Sequence, residues 1–292
     1  MNGKSAEGGR PRGHPRCRPP FLQYADGYGR IGAKGGITVG KERIPRSLGE
    51  ALSLRRSYGA QPRMGGLATE ERTGAAILPL DGCEEFTRID TDGTLVHIGA
   101  GCTAAQLSKE KLTPRLLRRC AALCPEEKQE RGSLGGAICA GSGEVLAVLE
   151  TLDAKVTVAS ECGRRTMPLR NFRRRTGLNL ATDELLCEIL VPEKDAGVWA
   201  YERAEGGLAF AAAIHWERRR LAALSVAFAP GEGKTLRYRE FEREMLRLSE
   251  REARARKDEF LEAYRRWWPE DCAESRTVLL GRLERFLQEN HI

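Results

Sequence analysis

From Ile44 onward the chain alternates between helical and strand-like spacing of its apolar residues, and the boundaries carry their own signals. Ser47 and Glu50 form a capping box, in which the hydroxyl accepts the amide three residues on and the carboxylate reaches back. The box opens a helix with Leu48, Ala51, Leu52 and Leu54 on its apolar side. The helix is expected to end near Tyr58, with Gly59 making the exit turn. Strands are predicted over 75–80 and over 94–98, the second following the Asp92-Gly93 turn. Thr103 with Gln106 is a second capping box, placed directly after Gly99-Ala100-Gly101, and predicts a helix through Leu107 to about Leu117.

Another glycine-rich turn, Gly132-Ser133-Leu134-Gly135-Gly136, leads into the apolar stretch 145–152. A hairpin is then predicted, with strands over 154–159 and 166–169 around the turn Cys162-Gly163. A further strand over 184–191 ends at Pro192. Region 41–195 therefore reads as α+β. Beyond it, strands over 208–216 and 220–228 flank the charged turn Glu217-Arg218-Arg219. Helices follow. One lies between Phe241 and Tyr264, its many charges forming a solvated face with i,i+4 pairs; one lies over 274–288, with Val278, Leu279, Leu283, Phe286 and Leu287 on its apolar side.

Composition narrows the class. Of 292 residues, 41% are hydrophobic and 30% charged, which fits a globular protein and excludes a mostly disordered one. No run approaches the ~18 apolar residues of a membrane span, and the N-terminus has no signal-like apolar stretch, so a cytoplasmic location is expected. Residues 1–40 hold ten glycines and four prolines and read as a flexible tail. That tail carries +5 of the formal net charge of +7, so the remaining body is almost balanced. A nucleic-acid partner is therefore not expected, and a tether through the tail is the alternative.

Candidate chemistry is sparse. The nine cysteines are scattered, with no Cys-x-x-Cys pair; Cys120, Cys124 and Cys139 could supply three ligands to an iron-sulfur centre, but no fourth stands nearby. The histidines His14, His97, His215 and His291 show neither metal nor triad spacing, and His97 and His215 sit in strand patterns. Gly27-Tyr28-Gly29-Arg30-Ile31-Gly32 has the spacing of a dinucleotide fingerprint without the strand and helix that make one work. Gly231-Glu232-Gly233-Lys234-Thr235 imitates the end of a phosphate loop but reads better as a turn.

Two glycine pairs remain, Gly65-Gly66 behind Met64 and Gly135-Gly136 behind Ser133-Leu134. Residues without side chains let the main chain approach a phosphate, and successive amides in such turns make an anion-binding concavity. Two could clamp a pyrophosphate, or both could be tight turns only.

Order and context favour the clamp. Ser47-Leu48-Gly49-Glu50-Ala51-Leu52, Gly65-Gly66, Leu95-Val96-His97-Ile98-Gly99-Ala100-Gly101, Ser133-Leu134-Gly135-Gly136, Leu152-Asp153-Ala154-Lys155-Val156, Pro168-Leu169-Arg170-Asn171-Phe172 and Asp183-Glu184-Leu185-Leu186 succeed one another. The series resembles the FAD-binding medium subunit of molybdenum hydroxylases, the flavin subunit or domain of xanthine dehydrogenase and carbon monoxide dehydrogenase. Trp268-Pro269-Glu270-Asp271 and Ser275-Arg276 stand where that family has an acidic turn and a final helix, so the resemblance runs from about residue 44 to the C-terminus.

The resemblance implies an α+β fold: a two-subdomain FAD-binding domain of the PCMH type over 41–195, then a small C-terminal domain over 196–292 with a three-stranded sheet and helices. It implies FAD as cofactor, its pyrophosphate between Gly65, Gly66 and Leu67 on one side and Ser133, Leu134, Gly135 and Gly136 on the other, with Glu144 in place of the acidic residue that holds the ribose. The implied partners are a molybdopterin-binding large subunit and a [2Fe-2S] small subunit, whose electrons pass through FAD to NAD or another acceptor. No acid-base constellation is then required in this chain. The sequence departs from the pattern at Met64 and Leu67 around the first pair, at Gln129-Glu130 before the second, at Ala137 after it, and in the short segment 140–144. Each lost polar contact is worth about 1 kcal/mol net. A non-catalytic scaffold of the same fold that has lost flavin is the alternative.

Overall fold

A computed structural model describes residues 44–64, 77–174, 177–193, 197–231 and 233–292. The tail over 1–40, the Gly27–Gly32 run and the first glycine pair with Leu67 lie outside the described residues.

Local signals set the first elements. In α1 (Leu48–Tyr58) the Ser47 hydroxyl accepts the Glu50 amide at 3.3 Å, the Glu50 carboxylate accepts the Arg46 amide at 2.8 Å, and Gly59 closes the helix at φ +59°. β1 (Gln61–Arg63) and β2 (Ile77–Pro79) pair in parallel. β3 (Ile89–Thr91) and β4 (Leu95–Gly99) form a hairpin around Asp92-Gly93. α2 (Ala104–Lys109) has a complete capping box between Thr103 and Gln106, but the helix expected to reach Leu117 is in fact two. Pro114 lacks an amide and disfavours helix in the residue before it, so the chain breaks and restarts as α3 (Arg115–Ala122).

The second glycine pair is likewise not in a loop. After α4 (Glu126–Gln129), Ser133 caps α5 (Leu134–Ala140) by accepting the Gly136 amide, so both glycines belong to the first helical turn. α6 (Gly143–Thr151) is the buried apolar helix of the 145–152 stretch. The predicted hairpin forms as β5 (Lys155–Ser160) and β6 (Gly163–Pro168), followed by α7 (Leu169–Phe172), the short pair β7 (Arg173–Arg174) and β8 (Gly177–Leu178), and β9 (Leu185–Pro192). β3, β4, β9, β5 and β6 make an antiparallel five-stranded sheet in that order, with Val96, Ile98, Val156, Val158, Ile189 and Val191 in the core.

β10 (Val198–Arg203), β11 (Leu208–Glu217) and β12 (Arg220–Pro230) form the second, three-stranded antiparallel sheet. β10, an edge strand in which Tyr201 alone is fully buried, gave no legible alternation. Side chains alternate across a strand, and β11 and β12 use both faces. Ala209, Ala211, Ala227 and Ala229 join the core that contains α6, whereas Phe210, Ala212, Ile214, Val226 and Phe228 join a second core. The row of alanines lets α6 lie close: a methyl group on Gly143 would stand 3.0 Å from the Ala229 Cβ.

The single charged helix expected over 241–264 is three: α8 (Arg239–Met245), α9 (Glu250–Ala255) and α10 (Lys257–Trp267). Arg247 takes φ +65° after the first, and Ser249 with Glu252 builds a new capping box that starts the second. α11 (Ala273–Glu289) buries Leu279, Leu283, Phe286 and Leu287. Val278 is 46% exposed, contrary to expectation, because it stands about 100° round the helix from Leu279.

An ionic knot joins the end of α6 to α8. Arg237 and Glu242, whose side chains are 6% and 5% exposed, form a bidentate pair, and Arg237 also reaches Asp153 Oδ1 at 3.0 Å and Ser225 Oγ at 2.9 Å. Arg239 adds a 2.8 Å bond to Glu150. Removing one member of a buried pair strands the other charge, at about 3–5 kcal/mol. Arg237→Met is therefore expected to lower the urea-unfolding free energy by ~3 kcal/mol, and Arg237→Met with Glu242→Leu to recover most of it.

Candidate functional site

The candidate site is built on the turn that ends β4. Gly99 donates to Arg88 O at 2.8 Å, Ala100 to Cys187 O at 2.8 Å and Gly101 to Phe86 O at 2.7 Å, so three consecutive amides fix this turn to the body of the sheet. Thr103 then starts α2. Against this turn lies the start of α5: Thr103 and Ser133 form an isolated antiparallel bridge, Leu134 donates to Cys102 O at 2.9 Å, and Gly135 donates to Ala100 O at 2.7 Å.

This contact assigns the glycines different tasks. A Cβ on Gly135 would stand 2.8 Å from both Ala100 Cβ and Ala100 O, so Gly135 is required for backbone to meet backbone. One on Gly101 would collide with Met64 Sδ and Phe86 O. Gly136 is exposed, and a Cβ there would meet only the Ser133 hydroxyl of its own cap, at 2.9 Å. Met64 directly precedes the first glycine pair. The Met64 side chain therefore lies against the same turn that Gly135 packs on, while Gly65, Gly66 and Leu67 are outside the described residues.

The amides of the second pair do not form the open concavity read from the sequence. Those of Leu134 and Gly135 are committed to Cys102 and Ala100, that of Gly136 to Ser133 Oγ at 3.1 Å, and that of Ala137 to Ser133 O at 2.9 Å. What the turn offers a flat or phosphorylated ligand is shape: the side-chain-free, exposed outer face of Gly136 beside the Ser133 hydroxyl. This face can offer a flavin nucleotide close approach rather than free amides.

Glu144, in the first turn of α6, is 2.8 Å from Arg203 Nε, and Arg203 also reaches Leu123 O at 3.1 Å. Arg203 lines a cleft of about 670 Å3 together with Arg119, Leu123, Tyr201, Gly206 and Arg282. Sequence reasoning missed this partner because 59 positions separate the two residues. At the other end of α5, Arg173 donates to Ile138 O and Cys139 O, both at 3.0 Å, and so satisfies carbonyls the helix leaves open.

Two of the three candidate cluster ligands are buried thiols. Burial pushes Cys120 up to about 12 and Cys139 up to about 11, so both stay protonated near neutrality. Among the described residues no group of three or more His, Cys, Asp and Glu is placed to hold a metal ion, and Cys120, Cys124 and Cys139 form none. His97 is tied by both ring nitrogens to carboxylates. Among the described residues no single helix is long and apolar enough to cross a membrane.

Comparison with known proteins follows this geometry. Residues 44–194, just over half of the chain, match the family described as FAD binding domain in molybdopterin dehydrogenase. Among solved structures, a chain of the carbon monoxide dehydrogenase of Hydrogenophaga pseudoflava superposes with a TM-score of 0.68 at 22% identity, covering 82% of this chain and 92% of that one. A chain of the reconstituted enzyme of Oligotropha carboxidovorans gives 0.71 at 17% identity, covering 82% and 93%. A chain of quinoline 2-oxidoreductase from Pseudomonas putida 86 gives 0.63 at 20%, covering 75% and 84%. No curated protein sequence matches. The fold is shared with these oxidoreductase chains, and the chain belongs to the family of FAD-binding domains of molybdopterin dehydrogenases.

Proposed function

We propose that this chain is the FAD-binding electron-transfer subunit of a molybdenum hydroxylase-like oxidoreductase complex. Its partners would be a molybdopterin-binding large subunit and a [2Fe-2S] small subunit, with NAD or another acceptor receiving the electrons. The observation that carries this reading is the convergence, inside the family-matched region, of Met64 and Gly135 on the single turn Gly99–Gly101. Similarity in fold to carbon monoxide dehydrogenase and quinoline 2-oxidoreductase chains supports the choice of complex.

In this reading Gly65, Gly66 and Leu67 face Ser133, Leu134, Gly135 and Gly136 across the flavin nucleotide. Gly135 positions the turn, and Gly136 with Ser133 presents the contact surface. FAD, when bound, supplies reversible electron acceptance and donation. The chain orients it and shields it from water, and substrate oxidation takes place on the large subunit. A flavin-free scaffold is the second reading. It is favoured by one observation, that the amides of Leu134, Gly135 and Gly136 and the Glu144 carboxylate already have protein partners.

The absorbance spectrum of the purified chain, with mass analysis of whatever is released on denaturation, separates the two. The flavin reading predicts about one FAD per chain; a chain incubated with FAD that keeps none after desalting, yet still co-purifies with an iron-sulfur or molybdenum subunit, is the scaffold.

Two variants test the division of labour between the glycines. Gly135→Ala is expected to lower unfolding stability by about 1–3 kcal/mol, as over-packing does. Gly136→Val, on the exposed face, crowds only the Ser133 cap and should cost no more than about 1 kcal/mol while abolishing flavin retention. Equal stability losses in both would contradict the assignment.

A further inference from the structure

His97 stands in β4 with both ring nitrogens facing carboxylate oxygens, Nδ1 at 3.0 Å from Glu188 Oε1 and Nε2 at 3.3 Å from Asp92 Oδ2. A neutral imidazole has one N–H and donates to one of these, leaving a lone pair against the other oxygen. An imidazolium donates to both. Asp92 is not free to turn away, because its Oδ1 accepts the amides of Thr94 and Leu95, each at 2.8 Å. Glu188 is partly buried on β9, directly opposite Gly99 in the ladder.

We propose that His97 is held as an imidazolium bridging Asp92 and Glu188, a proton-operated latch that fastens the β3–β4 hairpin to β9 beside the Gly99–Gly101 turn against which Gly135 packs. The proximity is one residue: Glu188 follows Cys187, whose carbonyl accepts the Ala100 amide, and Ala100 in turn accepts the Gly135 amide. The latch as such stands apart from the flavin assignment; its effect on FAD retention rests on that reading.

Other charges facing the ring do not replace this bridge. Asp90 on β3 is the cross-strand neighbour of His97 but is paired with Arg88 at 2.6 Å. Lys155 on β5 lies one strand further, opposite Leu190, the β9 partner of His97. Partial burial, the largest single influence, lowers the His97 pKa, but the hydrogen bonds and charges of Asp92 and Glu188 together outweigh it and the net shift is upward. Asp92 is pushed down to about 2, first by the amides of Leu95 and Thr94 and then by His97, so it remains an anion wherever the ring titrates. A histidine whose pKa rises on folding contributes stability in full below its unfolded value of ~6.5 and loses it as pH climbs through the folded value.

The test is a ring-nitrogen NMR titration of the full chain from about pH 5 to 9, with thermal midpoints over the same range. The latch predicts a His97 midpoint above the ordinary ~6.5, with both nitrogens protonated until then. Glu188→Gln should bring the midpoint down and flatten the fall in thermal midpoint on the alkaline side, and His97→Gln should flatten that fall likewise. A wild-type midpoint at or below the ordinary value, or a neutral tautomer at about pH 6, overturns the proposal even if the variants fail to fold. Flavin retention measured across the midpoint supplies the second arm. Release above it supports the coupling, and retention unchanged across it overturns the coupling. A raised midpoint in a chain that holds no FAD at any pH refutes the flavin reading and leaves the latch.

Discussion

The backbone of Ala100 touches the backbone of Gly135, and the arrangement of the site follows from that contact. Two hydrogen bonds, Leu134 to Cys102 and Gly135 to Ala100, bring the start of α5 against the end of β4. Each is modest alone, about 1 kcal/mol net. Their consequence is geometric, because no side chain fits between the partners: a methyl group at Gly135 would be 2.8 Å from Ala100 on two atoms. Gly101 repeats the condition on the other side, where Met64 takes the space a side chain would need. One turn is thus squeezed from both sides, by the Met64 side chain and by Gly135.

The same device recurs at larger scale under α6. Small residues on one face of β11 and β12 admit the helix closely, while Phe210 and Phe228 on the opposite face meet Tyr264, Trp268 and Phe286 edge-on in the second core. The three-stranded sheet is therefore a shared wall between two cores. The Arg237–Glu242 pair, through Arg237 to Asp153, ties the end of α6 to α8 beyond that wall, and the Arg203–Glu144 pair ties the start of α6 to β10 in the wall itself. Such pairs are strongly desolvated or partly so, and the first is the kind whose breakage costs more than its formation contributes.

What could be read from the sequence is what is decided within a few residues. The caps at Ser47 and Thr103, the Asp92-Gly93 turn and the hairpin around Cys162-Gly163 all depend on neighbours in the chain, and all form. Pro114 is also a local signal, but the strength of the capping box before it masked the break. Two of the edge strands were illegible: β10 buries Tyr201 alone, and β3 is three residues long. Position along the chain located the glycine pairs, but their work depends on partners far away. The amides of Leu134 and Gly135 find carbonyls some thirty positions earlier, and Glu144 finds Arg203 59 positions later. A glycine required for packing and a glycine presenting a surface look identical in a sequence. Only the neighbours of the missing Cβ tell them apart.

Amide hydrogen exchange of the chain with and without FAD addresses the central claim most directly. The contact between Ala100 and Gly135 predicts that the Leu134 and Gly135 amides are protected in both states, while Gly136, already bonded to Ser133 Oγ, and the segment after Met64 gain further protection when FAD is added. Fast exchange at Leu134 and Gly135 without ligand, or no change at Gly136 and after Met64 on saturation with FAD, would contradict it.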